Sequence, residues 1–99
     1  MFCNQIIVNA IKNKNRLSLV YDNINRTVEP HAYGETKAGN GILRCYQVCG
    51  NHNSDKPHDW ELLSVSKITG LTLTEERFLN ARPGYKKNDK AMTIIYAQI

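Results

Sequence analysis

One ten-residue stretch, Gly41-Ile42-Leu43-Arg44-Cys45-Tyr46-Gln47-Val48-Cys49-Gly50, most constrains the fold. It is the longest apolar run bounded by glycines, it is rich in β-formers, and it reads as the central strand of a small sheet. Strand side chains alternate between faces, so Ile42, Arg44, Tyr46 and Val48 share one face and Leu43, Cys45, Gln47 and Cys49 the other. Arg44 stands out. A guanidinium in the middle of such a strand must reach solvent, pair with an acid, or meet an anionic ligand.

The segments around this strand are short. Residues 4–14 predict a helix: Ile6, Ile7, Ala10, Ile11 and Lys14 follow helical spacing, Asn4 is placed to cap the start, and Lys12 and Lys14 suit the end. Residues 16–21 alternate as a strand, Asp22-Asn23-Ile24-Asn25 forms a turn, and residues 26–33 resume as the second arm of a hairpin. Pro30 cannot donate to a ladder, which puts that arm at a sheet edge or kinks it there. Loops follow at residues 35–41 and 51–58, then a strand over residues 59–66 and a further apolar supply from Ile68, Leu71 and Leu73. Thr72 or Thr74 is positioned to cap one helical turn through Glu75, Glu76 and Arg77, and Pro83-Gly84 marks a turn. Residues 92–99 fit helical and strand spacing alike; the β-branched Thr93-Ile94-Ile95 favours a strand. The expectation is a single mainly β domain: a helix at about 4–14, barrel strands over about 16–73, and a turn and final segment over 74–99. At 99 residues this suggests a small five-stranded antiparallel barrel or strongly bent sheet with the helix over one end.

Composition narrows the setting. Thirteen Lys and Arg against nine Asp and Glu give a net +4, a mild bias toward anionic partners. No apolar run approaches the ~20 residues of a membrane span. Three cysteines without disulfide-scaffold spacing, and a start at Met1-Phe2-Cys3 without signal-peptide character, predict a cytoplasmic protein. Enzyme motifs are missing: there is no G-x-S-x-G, no glycine-rich phosphate loop and no H-E-x-x-H. The three histidines read as solvated bystanders in loops or at a strand edge. Cys45, Cys49, His52 and His58 are zinc-ligand types, but Cys45 and Cys49 on one strand lie about 13 Å apart. Two ligands of one zinc lie within ~4.5 Å of each other. Buried structural cysteine is the simpler reading, and neither a catalytic residue, a metal nor a cofactor is expected.

Basic and aromatic residues are more suggestive. Arg26, Arg44, Lys67 and Arg82 are interleaved with Tyr21, Tyr33, Tyr46, Trp60 and Tyr85. Arginine forks for phosphate, beside rings on which bases stack, are the ingredients of nucleotide and single-strand binding by small barrels. The competing reading is that the tyrosines are core and that Lys12, Lys14, Lys86, Lys87 and Lys90 are solubilising charge.

The order of segments adds to this. Ala10-Ile11, then Leu17-Ser18-Leu19-Val20-Tyr21, then Arg26-Thr27-Val28-Glu29-Pro30, resembles the opening of a WYL domain, and Leu63-Ser64-Val65-Ser66-Lys67-Ile68 is similar to that family's "F-R-L-D-R-I" strand. The Trp-Tyr-Leu triplet is absent, its strand being represented by Ile42-Leu43-Arg44-Cys45-Tyr46, and Ser64 stands where the family strand has an arginine. The resemblance implies an Sm-like (SH3-like) barrel used as a ligand-sensing module for nucleic acid or nucleotides, mostly in bacterial and phage regulators. The expected function is therefore non-enzymatic binding of a phosphate-bearing ligand, single-stranded nucleic acid or a nucleotide. Arg26, Arg44, Lys67 and Arg82 would contact phosphate, and Tyr46, Trp60 and Tyr85 would stack or wall the pocket. The alternative is a homo-oligomer or a module for a protein partner, with residues 92–99 adding a strand to a neighbour.

Overall fold

The computed structural model describes residues 4–50 and 60–99, with side chains over 4–48 and 60–99. The chain forms helix α1 (Gln5–Asn13), strands β1 (Asn15–Tyr21), β2 (Ile24–Glu35), β3 (Gly41–Gly50) and β4 (Trp60–Ser64), a 3-10 turn (Val65–Lys67), and strands β5 (Thr69–Arg77) and β6 (Ile94–Gln98). The Asn4 side chain caps α1, its Oδ1 accepting from the N–H groups of Ile6 and Ile7, and Lys14 ends it in the left-handed region at φ 55°. A nine-residue helix is too short to persist alone. It is held by burial of Ile7, Val8, Ala10 and Ile11, and by the Asn4 N–H donating to the Tyr33 hydroxyl of β2.

The strands make one antiparallel sheet in the order β4-β3-β2-β1-β5, with β6 also paired to β2. The hairpin between β1 and β2 closes on Asp22-Asn23 alone, both at positive φ, which is the type I′ geometry that matches strand twist. Among the described residues no ladder joins β4 to β5, so the sheet is open where a closed barrel was expected.

The long strand β2 organises the sheet. One edge pairs with β3, while the other serves β1 as far as Val28 and β6 from Ala32 onward. Pro30 therefore does not mark a sheet edge. It sits in the gap between the β1 and β6 ladders, where the register with β3 also slips, Pro30 opposing Cys45 and Ala32 opposing Arg44. His31 is the extra residue of that bulge, and a bulge is where a strand interior tolerates proline.

Two further expectations change. Glu75, Glu76 and Arg77 continue β5 and form no helical turn, because Thr74 Oγ1 donates to the Arg16 carbonyl and Asn15 Nδ2 donates to the Thr74 carbonyl, fastening this stretch to β1. Residues 92–99 do supply a strand, and it pairs with the chain's own β2. Tyr96 adds to that join by donating from its hydroxyl to the Glu35 carboxylate.

The alternation expected along β3 holds from Ile42 to Tyr46. Leu43 and Cys45 enter the main core with Leu17, Leu19, Val28, Leu63 and the helix, while Ile42 packs on the other face with Ala32 and Met92. Arg44 and Tyr46 lie along that second face. Among the described residues no helix is long and apolar enough to cross a membrane.

Candidate functional site

Residues 82–92 run along the second face of β3: Arg82 covers the Tyr46 ring at 4.7 Å, Asp89 pairs with Arg44, and Met92 packs on Ile42. Two polar joints hold this segment down.

The first fills the gap in β2. Glu29, with only 1% of its side chain exposed, accepts from Arg16 Nε of β1 at 3.0 Å and from Arg82 Nε and Nη2 at 2.7 and 3.1 Å. Burial pushes its carboxyl up, and the hydrogen bonds from Arg82 and Arg16 overcome that, leaving it below the ordinary 4.5. Next to it His31 is completely buried. The Arg82 backbone N–H lies 3.0 Å from His31 Nε2 and can only donate, so Nε2 is the acceptor and the proton rests on Nδ1, donated to the Glu29 carbonyl at 2.8 Å. Burial pushes the His31 pKa below 6.5, which keeps the ring neutral. Trp60, Phe78 and Tyr85 pack around it with ring centroids 4.6, 5.4 and 5.2 Å away.

The second joint is Arg44 with Asp89. Arg44 Nε donates to Oδ2 at 2.7 Å, and Nη2 reaches Oδ1 at 3.5 Å. The Arg44 hydrogen bond holds the Asp89 carboxyl below its usual range against the effect of burial. The neighbouring Asn88 exchanges two hydrogen bonds with Gln98 of β6, anchoring the loop to the sheet.

Between these joints opens a cavity of about 350 Å³, lined by Arg44, Trp60 and residues 84–90. The Trp60 indole N–H donates to the Pro83 carbonyl at 3.1 Å. Gly84 lets the backbone pass this close: its φ is +93°, and a Cβ there would lie 3.2 Å from Trp60 Nε1. Lys86, Lys87 and Lys90 are exposed along the rim. Four cations thus face the cavity against the single carboxylate of Asp89.

The residues singled out from sequence divide accordingly. Arg44, Trp60 and Tyr85 line the cavity. Tyr46 and Arg82 belong to the adjoining ring cluster, where Arg82 is already paired with Glu29. Arg26 and Lys67 do not join them. Arg26 is 5% exposed, donates from Nη1 to Gln47 Oε1, and lies 5.4 Å from the Tyr21 ring centre. Lys67 is exposed on the 3-10 turn. The expected convergence of Arg26, Arg44, Lys67 and Arg82 on one hollow does not occur.

Lys86, Lys87 and Lys90, expected as solubilising charge, line the cavity, and His31, expected as a solvated bystander, is buried. The signal for His31 was its place directly after Pro30, at the kink. Cys45 is a core thiol pushed up by burial and by the Glu61 carboxylate, and is correspondingly inert. The Cys49 side chain, His52 and His58 lie outside the described residues, and among the described ones no group of three His, Cys, Asp or Glu is placed to hold a metal.

Compared with known proteins, the chain matches no family model, no curated protein and no solved structure.

Proposed function

We propose that this protein is a non-enzymatic binding module whose cavity beside β3 takes a phosphate-bearing ligand, a nucleotide or single-stranded nucleic acid. One observation carries the reading: the Arg44 fork, the Trp60 and Tyr85 rings and three rim lysines open on the same hollow. Guanidinium and ammonium groups supply the phosphate contacts, and aromatic faces supply stacking that tolerates any base. A cavity of about 350 Å³ lies at the small end of ligand sites, which run from ~300 to ~1,000 Å³. That size suits one nucleotide unit better than a long strand.

A WYL-like, Sm-like barrel with a sensing or regulatory role is part of the same proposal. Supporting it are the N-terminal helix, the return of β5 beside β1, and a bulged β2 serving two ladders. The protein-interaction alternative has less behind it, since β6 already pairs with β2.

Trp60 is the only tryptophan, so its fluorescence reports directly on the cavity. Titration with a nucleoside triphosphate should change that fluorescence, with affinity falling as salt rises. Arg44→Ala should weaken binding about tenfold or more, the value of a charge-assisted hydrogen bond. A silent tryptophan at low salt, or equal affinity in the variant, would refute the site.

A further inference from the structure

We infer that Asp89 occupies the position of the ligand's phosphate on Arg44, so that the cavity admits a terminal, doubly charged phosphoryl group and turns singly charged anions away. This deepens the binding reading above and rests on it. The Asp89 carboxylate presents two oxygens to the Arg44 fork, at 2.7 Å on Nε and 3.5 Å on Nη2, which is how a phosphate would present two of its own. The longer second contact leaves the fork incompletely satisfied.

Arg44 is not the only group that holds Asp89. Its Oδ1 accepts from the Ala91 N–H at 2.9 Å, its carbonyl accepts from the Met92 N–H at 3.0 Å, and its neighbour Asn88 is pinned to Gln98. The backbone bond and the Asn88–Gln98 pair hold the loop independently of the Arg44–Asp89 contact, so a phosphate taking Arg44 leaves the loop in place.

Displacement sets the selectivity. A singly charged ligand, whether a carboxylate or an internal phosphodiester, only replaces one negative charge on Arg44 with another. It gains nothing there to offset the loss of freedom on binding. A terminal phosphate brings a charge of about −1.5 to −2 near neutral pH, and the surplus falls among Lys86, Lys87 and Lys90 on the rim.

Asp89→Asn tests this, because it keeps an oxygen for the Ala91 N–H and removes the competing charge. Wild type and variant are titrated, by Trp60 fluorescence, with a nucleoside triphosphate and with a short oligonucleotide lacking terminal phosphates. Wild type should prefer the triphosphate. The variant should bind the triphosphate about tenfold tighter and the oligonucleotide tighter still by ratio, narrowing the preference. Unchanged or weaker triphosphate binding in Asp89→Asn, with wild type binding normally, would overturn the inference and make Asp89 a positioning group for Arg44. Thermal melts of both proteins exclude misfolding as the cause of such weakening. No binding of either ligand by either protein would remove the underlying reading as well.

Discussion

Arg82→Met will destabilise the fold by about 2–3 kcal/mol, and Glu29→Gln, at the other end of the same contact, will cost less. Removing one partner of a buried ion pair costs ~3–5 kcal/mol because a charge is left buried without compensation. Here the group left behind is Glu29, only 1% exposed, whereas Arg82 is 37% exposed and Arg16 remains to share the load; both facts reduce the figure. In Glu29→Gln the groups left behind are the two part-exposed arginines, and water solvates them.

The pH dependence follows from the sign of each shift. Glu29 has a folded pKa below its unfolded value near 4.5, so its stabilisation is fully present above that pH and is lost as pH falls toward the folded pKa. The gap between wild type and Arg82→Met is therefore widest above pH 4.5 and narrows in acid. His31 is also depressed, from 6.5, so stability starts to decline as pH drops below 6.5, by up to ~1.4 kcal/mol per pH unit. Urea denaturation at several pH values reads out both effects. An Arg82→Met loss that is independent of pH would contradict the proposed role of Glu29.

Gly34→Ala will cost about 3 kcal/mol, the upper part of the usual range for overpacking. A Cβ at this position would run into the Ile94 carbonyl oxygen, with the Ile94 carbonyl carbon and Ile95 Cα both 3.1 Å away. All three obstacles are backbone, so no side chain can turn aside and β6 itself must move. That breaks the pairing of Gly34 with Ile95 and Glu35 with Ile94, and it strains the Thr93 N–H bond to the Glu35 carbonyl. Amide exchange should accelerate over residues 94–98 while α1 and β1 stay protected. A variant as stable as wild type, with β6 equally protected, would show that the strands are not in such close approach.

What the sequence revealed, and what it hid, follows the range of the forces involved. The faces of β3, the Asn4 cap and the place of the first hairpin turn, though not its shortness, were legible because each depends on residues a few positions apart. For Pro30 the sequence left an edge and a kink open, because the choice depends on where the β1 and β6 ladders stop, and β6 lies more than sixty residues further on. His31 was missed because a bulge breaks the period of two on which strand reading relies. The Arg44–Asp89 pair spans 45 residues, so composition shows an arginine in a strand without showing its partner. Lysines look alike in sequence whether they face open solvent or rim a cavity. Only the path of residues 82–92 across β3 separates Lys86, Lys87 and Lys90 from Lys12 and Lys14.

The proposed entry point of the phosphate-bearing ligand is the cavity between β3 and residues 84–90. Nitrogen–proton NMR spectra of isotope-labelled protein, recorded during titration with a nucleoside triphosphate, address it residue by residue. The Trp60 indole N–H, the Arg44 side chain and the amides of residues 84–90 should shift together and saturate, while the signals of Arg26 and Lys67 stay in place. Shifts centred on Arg26 or Lys67, or no shifts at all, would contradict it.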